Sequence, residues 1–407
     1  MTRTTRLSRV LLYSHDTYGL GHLRRNLVIA AELLSGPRPP QVVLASGSPV
    51  IDQVPRPAGL VCVQLPPVVK TGDDEYRAVD PTMSLSLVRR ARTAVLLDVV
   101  RRWTPDVFLV DHAPQGMKGE LLPVFDELPG VSPGTKVVLG MRDILDEPAR
   151  VQQAWRDAGV YETLASVYDR ILVYGDQAVF DVVRKYRIPP PTADRLDYCG
   201  YVTADRAQLP VPPPALPPGV EYVLGTIGGG GDGSDVLVAT ARAAVRCGIA
   251  AVLCTGPLMP VGDRERVVAA TRDMPSVVVV DHLREPAAVA AGARCVVTRG
   301  GYNSLCELVR SGVPTVVVPR TWPRREQLLR AEAFESRGLV RRVDEDGHDL
   351  EGRLAEAVAD LTVSRPSPTV RLDLGGRRRV VAALRRLAGE PATATVDVVV
   401  ESAKVPA

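Results

Sequence analysis

Aromatic side chains are scarce: Phe, Trp and Tyr make up 4% of the 407 residues. Any core must therefore be built from Val, Leu, Ala and Ile, which suits alternating parallel strands and helices. The six cysteines form no C-x-x-C pair, and no Cys/His cluster has zinc-finger spacing. A disulfide framework and a structural zinc site are thus not expected, and a reduced, cytoplasmic protein is. An excess of one charge is missing too. Fifty Lys and Arg face 47 Asp and Glu, for a formal net charge of +3, which is no footprint of a nucleic-acid binder. No run of 18 apolar residues occurs, so no transmembrane helix is expected. The short apolar run that begins at Arg9 is broken by His15 and Asp16 and is too short for a signal sequence.

What the chain does have is alternation, with 45% hydrophobic and 24% charged residues. Apolar runs over Arg9–Ser14, 41–45, 60–65, 106–111, 136–141 and Arg170–Tyr174 read as strands. Leu23, Leu27, Ala30, Ala31 and Leu34 recur at helical spacing after the first of them. The span 83–103 reads as a long amphipathic helix with Arg89, Arg90, Arg92, Arg101 and Arg102 on a basic face. That face is expected on an ordinary domain surface, with contact to an anionic membrane as the rival reading. The proline-dense stretch QLPVPPPALPPG at 208–219 cannot continue a helix or sit in a central strand. Beyond it the alternation restarts, with strands at Tyr222–Thr226, 250–255, Val277–Val280, Cys295–Thr298 and 315–319, and helices at 235–246, 264–272, 286–291, 303–310 and 326–336. The expected architecture is two facing Rossmann-like domains of α/β class. The first spans 1–207, 208–219 is the linker, and the second spans 220–374. A helix at 375–388 returns towards the first domain, and 389–407 is a tail. Ligands in such sheets lie beyond the carboxyl ends of the strands, so two facing domains make a cleft.

Three strand-to-helix loops are candidates for chemistry. The first holds Gly19, Gly21 and His22 at the start of a helix, where backbone N–H groups attract anions. It is no dinucleotide fingerprint: Arg24 occupies the third glycine position, and no acidic residue follows the second strand. His22 is the first choice of general base, with His15 and Asp16 behind it. Arg24, just beyond this loop, and the strand-end pair Asp111-His112 are further candidates in the same half of the chain. The second loop runs from Gly225 and Thr226 through Gly228 and Gly229 to Ser234. Its four consecutive glycines allow close backbone approach to a phosphate, and the Gly-Lys-Ser/Thr ending of a P-loop is absent. The third runs from Arg299 through Gly300, Gly301, Asn303 and Ser304 to Glu307. Ser304 and Glu307 have capping-box spacing, so Glu307 reads either as a helix cap or as a carboxylate that grips sugar hydroxyls. The acidic run Asp73-Asp74-Glu75 reads as an exposed loop rather than a metal site.

The run TRGGYNSLCELVRSGVPTVVVPR, followed by Glu326-Gln327, resembles the donor-binding segment of GT-B glycosyltransferases, most closely the family-28 C-terminal domain. GLGH in the first loop is similar to the glycine-rich loop of that family, which also ends in His. The resemblance covers about 100 residues of the C-terminal half and the first 35 of the chain. It implies that Glu307 hydrogen-bonds the donor ribose and that Gln327, beside Glu326, contacts the donor sugar. It implies further that Arg299 opens the donor-binding segment, that Gly300 and Gly301 line the diphosphate side, that the Leu283 backbone reads the base, and that His22 lies near the reacting centre. Two departures stand out. The family's phosphate-side serine falls near Ile227 here, leaving Thr226, Ser234 or backbone to serve. Arg24 and Arg25 follow the first loop where the family has a proline. The resemblance implies an inverting, metal-independent transfer with no cofactor. A nucleoside-diphosphate sugar is the donor, and the ribose contact favours uridine. The acceptor is unidentified, either lipid-linked or a small natural product. A nucleotide-sugar 2-epimerase and a non-catalytic sugar-nucleotide binder are the rivals, and nucleic acid is not an expected partner.

Overall fold

The computed structural model describes residues 6–16, 21–72, 75–204, 210–213, 215–229, 231–346, 348–363 and 371–390. Gly19, Asp73, Asp74 and the tail beyond residue 390 therefore lie outside the described residues, as does part of the proline-dense stretch.

The N-terminal sheet has seven parallel strands: β1 (Arg9–Ser14), β2 (Gln41–Ser46), β3 (Leu60–Gln64), β6 (Val107–Asp111), β7 (Lys136–Arg142), β8 (Arg170–Tyr174) and β9 (Leu196–Tyr198). An antiparallel hairpin, β4 (Val68–Lys70) with β5 (Tyr76–Ala78), stands apart from it. The second sheet has six: β10 (Tyr222–Thr226), β11 (Ala250–Cys254), β12 (Val277–Val280), β13 (Cys295–Thr298), β14 (Thr315–Val317) and β15 (Arg341–Arg342). Their orders are β3-β2-β1-β6-β7-β8-β9 and β12-β11-β10-β13-β14-β15. In each sheet the chain winds outward from its first strand and then reverses. The switch points fall between β1 and β6 and between β10 and β13. This is the two-domain α/β architecture expected from the alternation.

Both faces of each sheet are covered, and the two-residue period of a strand divides the core accordingly. In β1, Val10 and Leu12 join one cluster, while Leu11 and Tyr13 join the opposite one. In β10, Val223 points into one cluster, and Tyr222 and Leu224 into the other. The cluster on the Val10 face continues into Tyr302, Leu305, Cys306 and Phe334 of the second domain. The two domains thus share apolar surface.

The chain crosses between domains twice, side by side. Tyr201 N–H donates to Asp373 C=O (2.7 Å), and Gly376 N–H donates to Tyr201 C=O (3.1 Å). The helix Gly376–Leu387 then lies against the helix Gly21–Leu34 of the first domain. Arg377 reaches Glu32 there (3.2 Å). Part of the proline-dense stretch is docked rather than free, with Val211 N–H donating to Ala288 C=O (3.2 Å).

The long basic helix spans Leu85–Trp103, held at its start by Ser84, whose side chain accepts from Leu87 N–H. Its basic face is smaller than the sequence suggests. Arg92 is fully buried and paired with Glu120 (2.6 Å), while Arg101 and Arg102 pair with Glu127 and Asp98. Among the described residues no helix is long and apolar enough to cross a membrane.

The return helix starts where it does because its first residue has no side chain. A Cβ on Gly376 would lie 2.5 Å from Gly200 O and 2.6 Å from the Tyr201 carbonyl. These are backbone atoms that cannot give way. Gly376→Ala is expected to cost about 1–3 kcal/mol and to lower the thermal unfolding midpoint by a few degrees. An unchanged midpoint would show that the crossing tolerates displacement.

Candidate active site

At the first switch point the carboxyl ends of β1 and β6 open onto a crevice, and the helix Gly21–Leu34 begins above it. Asp16 is 1% exposed, with both oxygens in use: Oδ1 accepts from Leu23 N–H (3.0 Å) and Oδ2 from Ser46 Oγ (2.6 Å). Burial raises its carboxyl above the ordinary value, against the opposing pull of His22 and the hydroxyls of Ser14 and Ser46. Asp16, expected as a reserve base, therefore anchors the helix start, satisfying an N–H that the first turn leaves open.

His22 is the second residue of that helix. Its Nδ1 lies 2.7 Å from Oδ2 of Asp111, the last residue of β6. A carboxylate only accepts, so the contact with Asp111 places a proton on Nδ1. Arg25, one helical turn on, forks onto the same carboxylate through Nε (2.9 Å) and Nη2 (2.7 Å). Burial alone would push the Asp111 carboxyl up, but Arg25 and His22 outweigh it and hold it below the usual carboxylate range. His112 follows Asp111 in a left-handed backbone conformation (φ 70°). That brings its ring 4.7 Å from the His22 ring and 6.2 Å from that of His15, centroid to centroid. Burial first, then the Arg142 guanidinium, hold the His112 imidazole well below its ordinary pKa. Three of the five histidines thus converge at one strand-end crevice. Among the described residues no group of three or more His, Cys, Asp or Glu could hold a metal ion.

The opposite wall is built at the second switch point. Gly225 is required by packing within β10, since a Cβ would lie 2.9 Å from Leu253 Cδ2. The loop beyond it turns through Gly228 (φ 72°), Gly229 and Gly233 (φ 97°). Thr226 Oγ1 accepts from Gly228 N–H (3.5 Å). Beside this loop, Gly300 takes φ 88° and Gly301 caps the helix Tyr302–Ser311. The helix begins before Ser304, so Ser304 and Glu307 sit inside it and form no capping box. Glu307, in the second turn, is left for another task. Arg299 gives both terminal nitrogens to Glu345 (2.6 and 2.8 Å). Its Nε lies 4.0 Å from Asp232 of the glycine loop, so Arg299 links that loop to Glu345. Leu283 is half-buried against the β12 side of the sheet. Gln327 accepts from Arg320 N–H (3.1 Å).

The two walls touch through polar side chains that the sequence had assigned to separate sides. Arg24 Nη2 lies 3.1 Å from Glu307 Oε1 and 3.4 Å from Oε2. Asn303 Nδ2 donates to Gly21 C=O (2.9 Å). Burial raises the Glu307 carboxyl, and Arg24 only partly offsets it. Glu326 pairs with Arg142 of β7 (3.0 Å) and with Arg330 (3.5 Å). Tyr302 lies between two guanidiniums, Arg25 at 5.6 Å and Arg330 at 5.7 Å from its ring centre. Its hydroxyl accepts from Val202 N–H (3.0 Å). Arg25, Arg142, Tyr302 and Arg330 were missed from sequence. Only the three-residue step from His22 to Arg25 and the four-residue step from Glu326 to Arg330 hinted at them.

Residues 227–371 match the glycosyltransferase family 28 C-terminal domain. The crystal structure of the glycotransferase of kitacinnamycin is similar over 95% of this chain and 96% of that one, with TM-score 0.58 and 20% identity. MurG of Acinetobacter baumannii is similar over 93% and 99%, with TM-score 0.57 and 14% identity. A Listeria monocytogenes protein assigned as a UDP-N-acetylglucosamine 2-epimerase is similar over 93% and 96%, with TM-score 0.62 and 14% identity. No curated protein matches the sequence. The fold is GT-B, two Rossmann-like domains around a cleft. With its family-28 C-terminal domain, the chain is a glycosyltransferase.

The Glu326 pair carries a pH signature. Burial by itself would push its carboxyl up, but Arg142, Arg330, Arg320 and Arg324 hold it down at about 2. A depressed carboxyl contributes stability that is present above the ordinary glutamate value and is lost as pH falls through the folded value. Thermal unfolding of the wild type is therefore expected to lose stability between about pH 4.5 and pH 2. Glu326→Gln should lose less across that window. Parallel pH dependences would show that the pair contributes nothing to the interface.

Proposed function

We propose that the protein transfers a hexose-type sugar from a nucleoside-diphosphate sugar, with UDP as the carrier, to an acceptor hydroxyl, with inversion and without a metal. The observation that carries this reading is the His22–Asp111 pair facing the donor-type segment Gly300–Glu307 across a cleft that Asn303 and Glu307 already bridge. Nε2 of His22, its tautomer set by Asp111, takes the acceptor proton as the oxygen attacks the anomeric carbon. The departing diphosphate lies against the Gly228–Gly229 turn and the N-terminus of the Tyr302–Ser311 helix, whose N–H groups stabilise its charge. Glu307 holds the ribose diol after Arg24 is displaced, and Gln327 with Glu326 meets the sugar. The acceptor occupies the side lined by His15, Gly21, Arg24 and His112, and is a lipid-linked molecule or a small natural product. All six cysteines are free thiols, which fits a reducing, cytoplasmic location.

A second reading is a nucleotide-sugar 2-epimerase, favoured by the three convergent imidazoles and by the similarity to the Listeria monocytogenes protein. It would work on the donor sugar alone and need no acceptor, so product analysis separates the two.

Titration calorimetry with UDP, dTDP and GDP tests the donor site. We expect micromolar binding of UDP in the wild type and a loss of at least about tenfold in Glu307→Ala, the equivalent of about 1.4 kcal/mol. Failure of all three nucleotides to bind would remove the donor reading.

A further inference from the structure

A buried carboxylate beside a histidine favours its protonated form, which makes it a poorer base. At this site the carboxylate has a second partner. Arg25 is 2% exposed and meets both oxygens of Asp111, and its Nη2 stands 3.0 Å from His22 Nδ1. Asp111 and Arg25 together are neutral. Asp111 still fixes the tautomer and direction of His22, but a proton on His22 would make the buried set a net cation. Of the groups facing His22 from the neighbouring elements, the cations add to that cost and an ionised Asp16 would offset part of it. From β6 come Asp111 and His112, with Arg142 of β7 behind it. From the end of β1 come His15 and Asp16, the carboxyl of Asp16 raised by burial. On its own helix stand Arg25 and Arg24, the latter paired with Glu307 from the opposite domain.

The guanidinium is itself held by aromatic rings. Its carbon lies 5.4 Å from the centre of the Tyr174 ring and 5.6 Å from that of Tyr302. Tyr174 has its place because Gly140 on the adjacent strand has no Cβ, which would otherwise collide with the tyrosine hydroxyl. Tyr302 is the first residue of the helix that carries Asn303 and Glu307. The position of Arg25 thus depends on one ring from each domain.

We propose that Arg25 is the positioning residue of the His22–Asp111 pair, cancelling the Asp111 charge so that His22 stays an unprotonated base, and seated between Tyr174 of one domain and Tyr302 of the other. The role rests on the reading of His22 as the base but can be measured without substrate. The imidazole titrations of the full chain are followed by NMR with labelled histidine, and the His22 signal is identified by its loss in His22→Gln. In Arg25→Gln the carboxylate is left with His22 as its charged partner, and the His22 midpoint should rise by about one to two pH units. Arg25→Lys keeps the charge and should stay near the wild-type midpoint. Asp111→Asn leaves Arg25 facing His22 and should lower the midpoint, so the charge argument is tested with reversed sign even if Arg25→Gln does not fold. An unmoved midpoint in the variants that fold, or Arg25→Lys moving as far as Arg25→Gln, overturns the proposal and leaves Arg25 as packing alone. UDP calorimetry on the same samples separates the two ideas. Absent UDP binding in the wild type defeats the donor reading, while the titration result stands by itself.

Discussion

A carboxylate at the end of a central strand, with almost no access to water, has to be neutralised where it stands. Asp111 is that carboxylate, and its surroundings follow from the requirement. Two cationic or proton-bearing side chains reach it from one helix, three residues apart, so His22 and Arg25 share a face of Gly21–Leu34. The helix start is fixed in turn by Asp16, which takes the Leu23 N–H and ties it to Ser46 on the next strand. Strand ends, helix start and base direction are therefore one hydrogen-bonded unit rather than separate features.

The unit does not end at the domain boundary. Arg25 leans on Tyr302, Tyr302 leans on Arg330, and Arg330 meets both Glu326 and the Gly300 carbonyl. The interface therefore contains a spine of buried charge beside the apolar surface that the domains share. Buried ion pairs are poor sources of net stability but are costly to break by removing one partner. Such a spine specifies one relative placement of the walls. At the cleft mouth the Arg24–Glu307 pair is half-exposed and correspondingly weak. The contact nearest the expected ribose is thus the easiest one for a ligand to replace.

Much of this was legible in the amino-acid order, and the parts that were not share a cause. Strands such as β1 and β13 are short unbroken apolar runs bounded by glycine or polar turns, and that pattern needs no partner to be read. The glycine loops were visible because left-handed positions at Gly228, Gly233 and Gly300 admit few other residues. The hairpin β4–β5 and the short strands β9 and β15 were not seen, being two or three residues long and without a run of their own. Arg299, Arg92 and Asp16 look from the sequence like groups free to act. Each is committed to a partner 28 to 46 residues away, Glu345, Glu120 or Ser46.

The sequence by itself determined the α/β alternation, the positions of the three glycine-bearing turns and the likeness to a donor-binding segment. These are local patterns in which every necessary residue lies within one strand, turn or helix. Only the tertiary structure decided which ionisable groups are free. It paired Arg299 with Glu345, engaged both oxygens of Asp16, released Glu307 from the helix start and placed Arg25 between Asp111 and Tyr302. Whether a charged side chain acts or merely braces depends on the partner that burial forces on it, and that partner is brought up by the winding of two sheets and the meeting of their switch points.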